Sequence, residues 1–165
     1  MTPLDPLPDD ARLWLFALDG PADEVLPAVL AWLPSWTSHG RPVRAGATVA
    51  HDTVLAVGAA ISPEELNAGI SGCGVDAMQH AVEDAARAAG RALLPALLIT
   101  WEDADGRWQS GGRPAFRRAI AGGDVGPATR VLDLTPTTVG ALRHDGVVRP
   151  AGEAWTGRLF GLTLA

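Results

Sequence analysis

Apolar residues along this chain recur in two spacings, and the changes from one to the other mark its elements. RLWLFALD (12–19) is a short apolar run closed by Asp19-Gly20-Pro21, which predicts a strand ending in a turn. Over 22–36, Val25, Val29, Trp32 and Leu33 fall at i, i+4, i+7 and i+8, one face of a helix. Asp23 and Glu24 suit its positive end, Pro27 its first turn and Pro34 its stop. After the loop TSHGRP, residues 47–52 and 53–61 are β-rich and predict a hairpin turning at His51-Asp52-Thr53. PEELNAGI (63–70) is a connector with room for one helical turn. A second helix is predicted from Ser71 or Cys73 to Gly90, with Val75, Met78, Val82, Ala85, Ala86 and Ala89 as its apolar stripe.

The run LLPALLITWED (93–103) predicts a buried strand, and Asp105-Gly106 a hairpin turn toward RWQS. The order β-α-β-β-α-β predicts an α+β protein with a ferredoxin-like, four-stranded antiparallel sheet and two helices on one face. The last third is more broken. It predicts a short helix over 113–121, a strand over 129–134, and a helix capped by Thr135 with Pro136 in its first turn. The apolar tail GEAWTGRLFGLTLA is expected to dock back on the body. With no internal repeat and no long linker, residues 1–165 form one expected domain: 1–104 the ferredoxin-like body, 105–165 a small C-terminal α/β extension packed on it.

Composition narrows the function classes. A 47% hydrophobic content can fill a core without staples. The single cysteine excludes an intrachain disulfide and fits a cytoplasmic, thiol-permissive setting. The proline- and aspartate-rich start does not look like a signal peptide, and the longest apolar runs are shorter than the roughly 20 residues of a membrane span. No membrane partner is expected. Net charge is −6, and all thirteen basic residues are arginines, scattered except for Arg117-Arg118, so no nucleic acid partner is expected either. Without lysine, Schiff-base chemistry and a Walker A loop are both excluded, and no cofactor is expected.

Candidate chemistry gathers at SGCGVDAMQH (71–80). At 100° per residue Cys73, Asp76 and His80 share one helix face, opposite the apolar stripe. A helix start favours a thiolate, and Gly72 and Gly74 leave the sulfur approachable. WTSHG (36–40) offers a second imidazole, His39, beside Trp36 and Gly40. In the expected fold both segments lie at one end of the sheet. Cys73 as nucleophile, His39 or His80 as base, and Asp76 or Asp52 as orienter then form one reading, with a small molecule bound near Trp36, Gly40, Ser71 and Gly72. Other readings stay open. Ser71 is a plain N-cap and His39 part of a polar glycine turn; Cys73 and His80 hold a metal; or the chain is a non-catalytic module whose open sheet face pairs with a partner or a second copy in a homodimer. Among six tryptophans, Trp14, Trp32 and Trp101 are expected in the core, and Trp36, Trp108 and Trp155 at element ends where a ligand groove would lie.

DDARLWLF, W-x-x-H-G at Trp36-His39-Gly40, and SGC-x-x-D at Ser71-Gly72-Cys73 with Asp76 and His80 give the chain a resemblance. It resembles a family of small bacterial proteins, common in Bacteroidetes-like genomes, that often carry the automatic label "ABC transporter ATPase". The likeness continues through AFRRAIAGGDVGPATRVLDL and the tail around Glu153-Ala154-Trp155, where the family pattern has Ser-Trp-His in place of Ala154-Trp155-Thr156. The resemblance implies that His39 and Cys73 belong to the family signature, and it carries no mechanism. The label itself does not fit a chain with no lysine and no P-loop.

Overall fold

The computed structural model describes residues 4–60 and 69–163. The chain divides into two compact units: Met1–Leu94 with Pro136–His144, and Pro95–Thr135 with Asp145–Ala165. The division falls at Leu94/Pro95 rather than near residue 105, and a piece of the last third returns to the first unit. Both units mix helices with antiparallel sheet, the α+β class.

The first unit contains β1 (Arg12–Ala17), α1 (Leu26–Trp32) between two 3₁₀ turns, and a short hairpin of β2 (Thr37–Ser38) and β3 (Arg41–Pro42). It continues with β4 (Arg44–His51), β5 (Val54–Ala60), α2 (Gly72–Ala88) and α4 (Val139–Asp145), whose last residue falls beyond the unit boundary. The connector expected at 63–70 lies mostly outside the described residues. Its main sheet runs β1-β5-β4, all antiparallel. Alternation sorts the side chains onto two faces. Leu55, Val57 and Ala59 turn toward Val29, Trp36, Met78 and Val82 of the helical layer. Leu13 and Ala56 turn the other way, onto Leu4, Leu7 and Val139.

That second face was expected to stand open, and it does not. Residues 4–11 lie across it, and Gly58 is the reason they come so close. A Cβ there would stand 2.9 Å from Leu7 Cδ1 and 3.0 Å from both Leu4 Cδ2 and Val139 Cγ2. Arg143 of α4 holds this leader by donating to the carbonyls of Leu4 (2.8 Å) and Leu7 (2.9 Å) and by pairing with Asp9.

The expected fourth strand does not join this sheet. Of the expected strand only Leu93 makes a bridge, to Leu18 just past the end of β1, while Thr138 bridges Arg12. Pro95 has no N–H to continue a ladder, and its carbonyl closes a turn onto the Leu98 N–H. The strand proper starts at Ile99 and belongs to the second unit.

There β6 (Ile99–Glu102), β7 (Trp108–Gly111), β8 (Arg130–Leu132) and β9 (Val148–Pro150) form a sheet of order β7-β6-β8-β9, accompanied by α3 (Arg113–Ala121) and α5 (Trp155–Phe160). Its core joins Ile99, Trp101, Phe116, Val131, Ala151 and Leu162, and the tail does pack onto it through Trp155 and Phe160. Gly157 admits the chain at Gly152, whose carbonyl would stand 2.3 Å from a Cβ at this position. The helix expected from Thr135-Pro136 begins later. Thr138 accepts the Ala141 N–H, and Pro136 precedes the helix α4.

Candidate functional site

Two segments singled out in the sequence, WTSHG and SGCG, meet in the structure as one joint. Ser71 is extended and caps α2, its hydroxyl accepting the Gly74 N–H at 3.0 Å. The Ser38 hydroxyl accepts the Ser71 N–H at 2.9 Å and faces the Ser71 hydroxyl at 3.4 Å. From the same hairpin Trp36 reaches over, and its Nε1 donates to the Gly74 carbonyl at 2.8 Å. Trp14 and Trp32 flank that indole, with ring centroids 5.9 and 5.6 Å away.

Each motif residue then has a local cause. Register pairs Thr37 with Pro42 and Ser38 with Arg41, leaving His39-Gly40 as a two-residue turn. Both turn residues are left-handed, with φ of 51° and 74°, the backbone of a type I′ hairpin. Histidine is among the few non-glycine residues enriched there, so His39 and Gly40 are explained by the turn. Gly74 packs under Ile70, Ser71 and Ser38, where a Cβ would meet atoms at 3.1, 3.2 and 3.5 Å. Gly72 has open space around it.

Trp36 corrects the sequence reading. Expected to line a ligand groove, it is only 1% exposed and is a core residue that pins the helix start. The reason is its place between β1, α1 and α2, where Trp14 and Trp32 stand against the ring and its one N–H finds the Gly74 carbonyl.

Cys73 is a free, exposed thiol in the first turn of α2. Asp76 and His80 are exposed on the same helix, with Met78 and Val82 buried on the side that meets the core. His39 is exposed at the turn tip. The hairpin and the helix start are brought together, yet among the described residues no side-chain hydrogen bond or ion pair joins Cys73, Asp76, His80 or His39 to any partner. Asp52 sits at the far end of β4 from the hairpin, about 23 Å along the strand at ~3.3 Å per residue, so it does not orient His39. Among the described residues no three His, Cys, Asp or Glu side chains come together to hold a metal ion.

A groove of about 410 Å³ lies at the other end of α2, lined by Glu83, Ala86, Arg87, Arg91, Ala92 and Leu93. Its charges are engaged. Arg91 Nε donates to Glu24 at 2.7 Å, which holds the Glu24 carboxyl below its ordinary range and raises Arg91. Arg87 pairs with Asp84.

Ser38 is the site residue that sequence reasoning passed over, and Gly74, expected to leave the sulfur approachable, is instead buried beneath Ile70, Ser71 and Ser38. The missed signal is Thr-Ser-His-Gly-Arg-Pro itself, a pair of turn residues between short β-capable flanks. Comparison with protein-family models, characterised proteins and solved structures gives no match.

Proposed function

We propose that the first turn of α2 presents Cys73 as a nucleophilic or redox-responsive thiol toward a small soluble electrophile. One observation carries this reading: the only sulfhydryl of the chain stands exposed at a helix start that Trp36, Ser38 and Ser71 hold in place. Gly72 beside it leaves the approach unobstructed. Backbone N–H groups at a helix start favour a negative species. The thiolate sulfur would attack the electrophilic carbon or sulfur, the leaving group would depart with the bonding pair, and the thiol proton would pass to solvent. His39 is better explained as a turn residue than as the base. The body that carries the thiol we take as ferredoxin-like with its fourth strand diverted, since β1, β5 and β4 keep the order of that fold's first three strands.

The test is the alkylation rate of Cys73 by iodoacetamide against pH, followed by intact mass on native protein. The reading expects the native thiol to react faster than the same thiol in unfolded protein at neutral pH. A native thiol slower than the unfolded one would overturn it.

A further inference from the structure

The molecule's charge is divided unevenly. Residues 1–94 and 136–144 hold twelve carboxylates against six arginines, whereas 95–135 and 145–165 hold seven of each. The whole net charge of −6 therefore belongs to the first unit. Within the second, Arg107 pairs with Asp105, Arg130 with Glu102 and Arg149 with Asp133. Among the described residues that leaves Arg113, Arg117, Arg118 and Arg158, all exposed, without a carboxylate partner.

These four share two neighbouring helices. The Phe116 and Phe160 rings are 5.0 Å apart, which sets α3 beside α5, and the Arg117 guanidinium lies 5.2 Å over Phe160. Arg113 and Arg117 are one helical turn apart on the outer side of α3. Leu159, 39% exposed, adds an apolar spot on α5. Asp124 follows the end of α3, and Glu153, at 4.0 Å from Arg149, precedes α5. Neither forms an ion pair with any of the four, so the face stays basic.

We propose that this arginine face of α3 and α5 is the basic half of a contact between copies of the chain, the acidic half being the first unit of the next copy. The complement is present in the protein itself: Asp19, Asp23 and Asp52 are exposed acids of the first unit with no ion pair among the described residues, and they gather at one end of its sheet, where the Ala22 N–H donates to the Asp52 carbonyl and the Leu18 N–H to the Thr53 carbonyl. At ~0.1 M salt the screening length is about 10 Å. Touching patches of opposite sign then attract while the net charges of two acidic molecules are largely hidden from each other. The contact joins unlike surfaces, so it is head-to-tail and does not stop at a dimer unless a ring closes.

Sedimentation equilibrium of the full chain at low and high sodium chloride tests this. The expected result is a weight-average mass above the 17.1 kDa of one chain, rising with concentration and returning to one chain in high salt. Arg113→Glu/Arg118→Glu, which spares the Arg117–Phe160 contact, should stay monomeric with an unchanged melting temperature, and Arg113→Gln/Arg118→Gln should lie between. Mixing the charge-reversed variant with Asp23→Arg/Asp52→Arg should restore association. A wild-type chain that is monomeric in low salt, or association indifferent to these reversals, would overturn the proposal. So would capture of heparin or an oligonucleotide by this face without self-association.

Discussion

The Ser38 hydroxyl accepts the backbone N–H of Ser71 at 2.9 Å, which ties a hairpin to the helix that follows it more than thirty residues later. Because the Ser71 hydroxyl in turn accepts from Gly74, the two serines act as one cap. Ser71→Ala should lower stability by about 1 kcal/mol. Ser38→Ala should cost a similar amount, and the double variant less than their sum. Urea unfolding of the four proteins of this cycle measures the coupling.

Trp36→Phe keeps the apolar ring and removes the donor to the Gly74 carbonyl. The expected loss is about 1–3 kcal/mol, since a buried acceptor is left unmet. Near-ultraviolet circular dichroism should also change, because three indoles are in contact here. An unchanged urea midpoint would mean that water replaces the indole.

His39→Asn preserves a left-handed turn residue and should leave stability within about 0.5 kcal/mol. His39→Val forces a β-branched residue to a φ of 51° and should cost about 1–2 kcal/mol. Neither should alter the pH profile of Cys73 alkylation. A slower profile in both variants would return the imidazole to the chemistry.

Gly58→Ala should destabilise by about 1–3 kcal/mol through overpacking, because the new methyl would meet Leu4, Leu7 and Val139 at 2.9–3.0 Å. Hydrogen exchange should show the extra opening in the first unit, at residues 4–11. Uniform protection with no stability loss would contradict the close approach.

The lowered carboxyls of Glu24, held by Arg91, and Asp103, held chiefly by the Arg107 backbone N–H, set a pH dependence. A depressed carboxyl adds stability above its unfolded value and loses it as pH falls through the folded one. Glu24→Gln and Asp103→Asn should therefore be less stable than wild type at neutral pH. The gaps should close on acidification below the ordinary values of 4.5 and 3.8. Thermal melts across that range read the closure, and gaps that widen in acid would refute the sign.

Most helices, the His51–Val54 hairpin and the Asp105-Gly106 turn were legible because their signals are local: apolar spacing, caps and turn residues. Ser71 and Gly90 bounded α2 as expected, with Gly90 at a φ of 69°. What escaped depends on distant chain. The sequence around Leu93–Asp103 has strand chemistry, but Pro95 and the ladder with Trp108–Gly111 decide which sheet it enters. Trp36 looked like a loop aromatic because its cover comes from Trp14 and Trp32 and its acceptor from Gly74. For the site, the pattern found the meeting of the 36–40 and 71–74 segments and missed the cause, a cap shared by two serines.

Arg143 fastens Leu4 and Leu7 from the other end of the first unit's sequence, and that fixes a timetable. At about 5–20 residues per second, a ribosome needs several seconds between finishing Leu94 and finishing Arg143. Throughout that interval the socket for Val139 above Gly58 is empty and the leader lacks its clasp, while Pro95–Thr135 is already being made. Neither unit can close on the stretch of chain that begins it, since the first waits for residues 136–144 and the second for 145–165, and a nascent chain halted before residue 139 would carry an unfinished sheet face.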